Sequence, residues 1–190
     1  MYKANENMQS EEYSLIKQCV DGDGEVYAIL VERYQEMVYN IAYRMLGDAE
    51  TARDISQESF ISAYEALENF KNSSKFSTWL CSIVMNKCRD YLRCKKVDIS
   101  IDDVRESLFS TMPDPEGSMY QKQLGRTLQK AIGALPEDYR QVIVLKHIEG
   151  FDYKEMESIL GVSANALKVR TCRAREMLKK FLLETRGTDG

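Results

Sequence analysis

The chain has 190 residues, enough for one domain or two small ones, and its 44% hydrophobic and 29% charged residues describe an ordinary water-compatible globular protein. Taken alone, its formal net charge of −4 argues against a DNA binder. That sum hides a segregation: the run from Asn86 to Lys96 and the final helix are basic, whereas the N-terminal third and the stretch from Asp98 to Glu116 are acidic. Two basic patches on an acidic body point to directed nucleic-acid contact plus a second, different partner. With only 3 prolines and few alternating β-branched runs, the expected fold class is all-α.

Taken in chain order, Glu12 to Val20 reads as a short helix stopped near Asp21-Gly22-Asp23-Gly24. Glu25 to Leu46 carries Val26, Ile29, Leu30, Tyr34, Met37, Val38, Ile41 and Met45 at three- and four-residue spacings, which predicts a long amphipathic helix. Gly47-Asp48 ends it and caps the next, from Ala49 to about Leu67. Asn69 to Lys75 is a polar loop, and a helix from about Ser77 to Cys94 follows. Residues 97–119, rich in acids and holding Pro113 and Pro115, read as a flexible acidic linker with at most a short helix near Val104 to Phe109. Beyond it come helices at Leu124–Leu135 and Glu137–Ile148, with Pro136 placed in the first turn of the second. The architecture expected is two small helical domains, residues 10–96 and 120–184, joined by that linker.

The most informative segment begins at Tyr153. Met156, Ile159 and Leu160 share a helical face, Gly161 supplies a left-handed turn residue, Val162 fills the angle, and Ser163 caps a second helix. This is a helix-turn-helix pattern, whose second helix is suited to a DNA major groove. In that helix Leu167, Thr171, Ala174 and Leu178 fall on one side. Asn165, Lys168, Val169, Cys172 and Arg173 fall on the other, flanked by Arg170, Arg175, Lys179 and Lys180. Phosphate contacts at the edges and base contacts along the crest follow from that layout.

Two further constellations precede it. Asp54, Gln57, Glu58 and Ile61 share a face of their helix. Further on, a hydroxyl-rich loop of Phe70, Lys71, Asn72, Ser73, Ser74 and Lys75 leads into a helix carrying the only tryptophan, Trp79. Trp79, Ile83, Asn86, Asp90 and Arg93 lie on one stripe of that helix, and Leu80, Val84, Cys88 and Tyr91 on another. Arg89 adds a second guanidinium beside Asn86 and Arg93. Stacking surface, edge hydrogen bonds and backbone charge are what single-stranded base recognition needs. Trp79 is equally open to a plain core role. The five cysteines form no CxxC pair, so reduced thiols are expected, with Cys81, Cys88 and Cys94 as helix-packing residues. No metal site or cofactor is expected, because His147 is far in sequence from any cysteine pair. No apolar run is long enough to span a membrane, and no signal-peptide core is evident, so the expected location is the cytoplasm.

The order of these motifs, from Asp54-Ile55-Ser56-Gln57-Glu58-Ser59-Phe60 through Phe70–Leu80, Asn86–Arg93 and Leu135-Pro136-Glu137 to the helix-turn-helix, resembles bacterial alternative sigma factors of the extracytoplasmic-function (ECF) type. The resemblance covers about Ser10 to Leu183. It implies a non-enzymatic factor that binds core RNA polymerase and directs initiation at promoters. It further implies sigma region 2 at residues 10–96 and region 4 at 120–184. Asp54, Gln57 and Glu58 would dock on the polymerase clamp. Phe70, Lys71, Asn72, Ser73, Ser74, Lys75, Asn86, Arg89 and Arg93 would hold the −10 element, and Asn165, Lys168, Val169, Cys172, Arg173 and Arg175 the −35 element. Family members are commonly silenced by an anti-sigma factor, which makes one an expected partner. Family members often have Thr where this chain has Ala166 and Ser where it has Val169. Valine donates no hydrogen bond but can meet a thymine methyl. Cys172 is either a small packing residue or a redox-sensitive contact.

The rival from another class is a stand-alone helix-turn-helix regulator that binds duplex operators as a dimer. It leaves the Phe70–Trp79 loop and the Asp54 face unexplained. An enzyme built on Asp54 and Glu58 as metal ligands lacks a histidine or further acids to complete the site.

Overall fold

The structure is a computed structural model that describes residues 2–71, 74–98 and 119–187. Among these residues every regular element is helical: α1 (Tyr2–Val20), α2 (Tyr27–Leu46), α3 (Ala49–Glu65), α4 (Phe76–Asp98), α5 (Met119–Gly133), α6 (Glu137–Ile143), α7 (Tyr153–Leu160) and α8 (Ala164–Gly187). Most of the expected acidic linker, including its short helix near Val104 to Phe109, lies outside the described residues. Its first and last positions belong to α4 and α5.

The first unit is a bundle around α2. Leu30, Val38, Ile41 and Met45 are fully buried along one stripe, and α1, α3 and α4 pack on it. The stripe departs from expectation at Ile29, which is 45% exposed. The chain enters α2 through a 3-10 turn at Gly24–Val26, so Ile29 falls in the first turn of α2 and points outward. Gly47 adopts φ 77° and returns its N–H to Tyr43 O at 2.8 Å, which ends α2. Asp48 then accepts from the Thr51 backbone N–H at 2.8 Å and opens α3. Two long helices thus reverse direction within two residues, as the sequence predicts.

The second unit packs α6 and α7 against α8, with α5 along α8. Pro136 sits one position earlier than expected, at the N-cap of α6. The helix expected to run from Glu137 to Ile148 changes at Val144 into a π-helical stretch ending at Ile148. There Glu149 N–H reaches back five residues to Val144 O at 3.0 Å. Phe151 is buried just beyond it, and Lys146 Nζ donates to Phe151 O at 3.0 Å, which holds the widened turn.

The two units are in contact. α4 lies against α7, and α2 meets α5 and α6. Their buried apolar side chains form one continuous cluster that includes Met45 and Leu80 from the first unit and Ile132, Leu145 and Met156 from the second.

The Asp48 cap yields a prediction. The Thr51 backbone N–H holds the Asp48 carboxyl below its usual range, against a smaller opposing effect of burial. A depressed carboxylate contributes stability above its ordinary value of about 3.9 and loses it as pH falls. Asp48→Ala is expected to cost about 1 kcal/mol at pH 7. The gap to wild type should narrow on acidification below about pH 5, and urea denaturation at several pH values measures it.

Candidate nucleic-acid and polymerase interfaces

The helix-turn-helix is built from the caps inward. Asp152 Oδ1 accepts from the backbone N–H groups of Lys154 and Glu155 at 2.8 Å each, and Glu155 Oε2 accepts from Asp152 N–H at 2.8 Å. This reciprocal box opens α7. Met156, Ile159 and Leu160 are buried, and Gly161 at φ 67° makes the turn. Val162 packs against the core as expected. Ser163 caps α8 only weakly, accepting from Ala166 N–H at 3.4 Å. Glu157 reaches Ala164 N–H from the preceding helix, also at 3.4 Å.

The face assignment of α8 holds. Leu167, Thr171 and Ala174 are buried and Leu178 half-buried. The Thr171 hydroxyl donates to Leu167 O at 2.8 Å, so this polar residue is satisfied within its own helix. Asn165, Lys168, Val169, Cys172, Arg173 and Arg175 are exposed, Val169 at 51%. Lys168 Nζ lies 5.9 Å from the Tyr153 ring centroid and Lys146 Nζ lies 5.0 Å from it, so one tyrosine steadies two cations at the edge of the face. Arg170 differs from its flanking neighbours: it is half-buried and pairs with Asp138 of α6 at 3.4 Å.

In the first unit the aromatic residues before α4 form a cluster. Phe70 lies 5.2 Å from Trp79 and 5.7 Å from Phe76 between ring centroids, and Phe76 is 5.5 Å from Tyr34. Phe76 is the buried anchor, and Phe70 and Trp79 are half-buried over it. Trp79 therefore packs at the edge of the core and still shows part of its surface. Asn72 and Ser73 lie outside the described residues. Lys71 is exposed and Ser74 half-buried. Lys75, also exposed, donates to Glu155 of α7 at 2.7 Å, and that bond raises its pKa.

Further along α4, Asn86 accepts a hydrogen bond from Arg89, and Arg93 pairs with Asp90. These four residues and Glu137 of α6 line a cleft of about 580 Å³ between the two units. On α3, Asp54, Gln57 and Glu58 are exposed beside Ile61, itself 59% exposed, while Ile55, Ser56, Ser59 and Phe60 turn inward. Glu58 is 3.5 Å from Lys87 of α4. The three expected surfaces are thus distinct: the docking acids on α3, the −10 set on α4 and the loop before it, and the −35 set on α8.

Cys81 and Cys88 are buried packing residues, with thiols pushed up by burial, Cys88 to about 12. Cys94 departs from expectation: it is exposed near the basic end of α4. Its position two residues after the buried Leu92 turns it away from the core. Among the described residues no group of three metal-ligating side chains comes together. Among them, too, no helix is long and apolar enough to cross a membrane.

Sequence reasoning missed Gln129, Arg140 and Glu149. Gln129 and Arg140 are buried polar residues, 3% and 8% exposed. In sequence they stand at amphipathic helix positions among charged neighbours, and only their long-range partners reveal them. Glu149 is half-buried, and its pKa is pushed up to about 7, chiefly by burial. Arg44 opposes that shift and Glu36 adds to it.

Comparison with known proteins agrees with this geometry. Residues 30–97 match the family described as Sigma-70 region 2, and residues 125–178 match Sigma-70, region 4. The ECF RNA polymerase sigma factor SigW of Bacillus subtilis is 39% identical over 176 residues, covering 88% of this chain and 94% of that protein. The RNA polymerase sigma-H factor of Pseudomonas aeruginosa is 30% identical over 92% of this chain and 95% of its own length. Among solved structures, CnrH in complex with the cytosolic domain of CnrY aligns with a TM-score of 0.68 at 26% identity, covering 88% of this chain and 94% of that one. The sigma factor RpoE of Bartonella quintana, solved with the anti-sigma factor NepR, shares the fold with a TM-score of 0.71 at 22% identity, over 82% of this chain and 96% of that one. The chain belongs to the ECF group of RNA polymerase sigma factors, proteins that bind core polymerase and direct it to promoters.

Two measurements check the geometry. Thiol labelling of the native protein is expected to modify Cys94 and Cys172 quickly and the three buried cysteines only on unfolding. Fast modification of Cys81 or Cys88 would mean that α4 is not packed as described. Glu149 gives a pH test. Its raised pKa means its contribution is full below the ordinary glutamate value of about 4.3 and is lost as pH rises through about 7. Glu149→Gln should therefore be more stable than wild type at pH 8 and lose most of that advantage by pH 5.

Proposed function

We propose that the three surfaces divide the work of initiation. Residues 10–96 act as region 2, residues 97–119 link, and residues 120–184 act as region 4. Asp54, Gln57 and Glu58 dock on polymerase. Their exposure together on one face of α3, beside an exposed Ile61, supports this. Phe70, Lys71, Asn72, Ser73, Ser74, Lys75, Asn86, Arg89 and Arg93 hold an unpaired −10 strand, with Phe70 and Trp79 supplying ring surface. Asn165, Lys168, Val169, Cys172, Arg173 and Arg175 meet the −35 duplex. The single observation that carries the reading is α8. Leu167, Thr171 and Ala174 face inward, and Asn165, Lys168, Val169, Cys172 and Arg173 are exposed beside the turn set by Gly161.

The protein is a regulator of initiation with no catalytic residues and no cofactor, working in the cytoplasm with the polymerase. An anti-sigma partner belongs to the same reading, supported by CnrH, which is solved bound to the cytosolic domain of CnrY. A stand-alone operator-binding regulator finds no support, since region 2 spans residues 30–97 of the chain.

Charge reversal at both Asp54 and Glu58 is expected to abolish co-elution with core polymerase and leave the thermal midpoint nearly unchanged, because exposed acids contribute little to stability. Normal co-elution would remove the docking assignment. In the −35 set, Arg173→Ala should cost about 1–3 kcal/mol and relax preference at one base pair. Lys179→Ala should weaken all sequences alike and reduce the salt slope by about one charge. Titration of single-base duplex variants at several salt concentrations separates the two. Equal losses on every variant for Arg173→Ala would make it a phosphate contact.

A further inference from the structure

Tyr153, the first residue of α7, gathers two cations on one ring. Lys146 Nζ lies 5.0 Å from the ring centroid and Lys168 Nζ lies 5.9 Å from it. Both distances are within reach of a cation–π attraction. The two lysines come from different elements. Lys168 stands on the exposed face of α8, and Lys146 belongs to the π-helical stretch that follows α6. Two features of the chain put Lys146 there. The wide turn closed by Glu149 N–H on Val144 O lets the backbone double back, and buried Phe151 fixes the return. Phe151 O then accepts from Lys146 Nζ at 3.0 Å. One of the three ammonium donors is thus used within the fold.

Like charges collected on one ring repel each other. Among the described residues neither ammonium forms an ion pair with a carboxylate. Asp152 feels the Lys146 charge, but its carboxylate is committed to the cap of α7. The cations continue along the flank of α8. His147 is exposed, and its pKa is lowered by burial and then by the charges of Arg175 and Lys146, which places it beside both. Lys168 and Arg175 are seven residues apart and so lie on the same side of α8. A duplex backbone supplies the missing anions, one phosphate per about 3.4 Å of each strand. In a helix-turn-helix the second helix enters the groove while the first crosses the backbone. Tyr153 opens that first helix, so its ring stands where the backbone passes.

We propose that Lys146 and Lys168, gathered on the Tyr153 ring, clamp the phosphate backbone that borders the −35 element, with Lys146 a DNA contact supplied from outside the helix-turn-helix and Tyr153 the residue that positions both ammonium groups. The clamp depends on the −35 reading of α8 above and extends it to two residues outside that set. A lysine on a phosphate carries no sequence information, so the clamp sets affinity and register while the crest of α8 reads bases. The ring and the Phe151 carbonyl hold Lys146 in place before DNA arrives. A long side chain ordered in advance gives up less freedom on binding than a loose one. Tyr153 acts through the two lysines, and for that purpose its ring is required and its hydroxyl is not.

The test uses holoenzyme assembled from the full chain and core polymerase, on a promoter duplex selected from random DNA. A set of duplexes carries one uncharged methylphosphonate at each −35 backbone position in turn. Wild type should lose affinity several-fold where the clamped phosphate is neutralised. Lys146→Ala should bind the unmodified duplex several-fold more weakly and reduce the salt slope by about one charge. It should also become indifferent to neutralisation of that same phosphate while keeping its sensitivity at the others. Tyr153→Leu should give a weaker form of the same pattern, and Tyr153→Phe should match wild type. Circular dichroism should show equal helix content throughout. A Lys146→Ala holoenzyme with the wild-type methylphosphonate profile would overturn the clamp even if its affinity falls, because damage to the fold weakens every duplex alike. Lys146 also braces Phe151, so the Tyr153 pair decides the matter if Lys146→Ala fails to fold: identical profiles for the Leu and Phe variants would overturn the clamp. An Arg173→Ala holoenzyme that still binds normally, with no sensitive phosphate in wild type, would remove the −35 reading itself and the clamp with it.

Discussion

A helix that ends within a folded chain leaves carbonyl oxygens in need of donors, and the C-terminal end of α2 is where this structure meets that requirement. Gly47 satisfies only Tyr43 O along the helix itself. Gln129 and Arg140, more than eighty residues further along the chain, serve the carbonyls of Arg44 and Met45. The two units also meet through one continuous apolar cluster. The same junction lays α7 alongside α4, pairs Lys75 with Glu155, and half-buries Glu149 near Arg44. The interface is polar where it is specific and apolar where it is merely continuous with the two cores.

The proposed functional surfaces share one arrangement. Each lies on the solvent side of a helix whose other side is a core stripe, so folding and recognition make no competing demands on the same residues. In α8 the division is clean: Leu167 and Ala174 are fully buried while Val169 and Arg173 are exposed. In α3 it is equally clean between Ile55 or Phe60 and Asp54 or Glu58. The loop before α4 is the exception. There Phe70 and Trp79 lean on the buried Phe76 and keep part of their rings exposed, so changes to them would disturb packing as well as the recognition proposed for them.

This division explains what could be read from the sequence. Helical period alone located the inner and outer faces of α3 and α8, because an amphipathic helix must turn its apolar stripe inward. The Gly47-Asp48 and Gly161 stops were legible because positive φ and side-chain capping favour those residue types. The 3-10 entry to α2 was not, and with it went the placement of Ile29, since a short change of pitch rotates the residues that follow. The π-helical stretch at Val144–Ile148 was hidden for the same reason. Residue type places Cys94 in the packing, but its position two residues after the buried Leu92 turns it outward. Gln129 and Arg140 were beyond reach because each donates to a backbone carbonyl in the other unit. A polar side chain aimed at a distant carbonyl leaves no mark on the local pattern.

The central claim is that this chain works as a two-surface promoter reader on the polymerase. A footprint on promoters selected from random DNA tests it most directly. With core polymerase added, protection should appear over two separated elements, with thymines near the downstream one becoming reactive to permanganate. The chain without polymerase should give no strand opening. Protection of a palindromic duplex by the chain alone, with no dependence on core polymerase, would contradict the account.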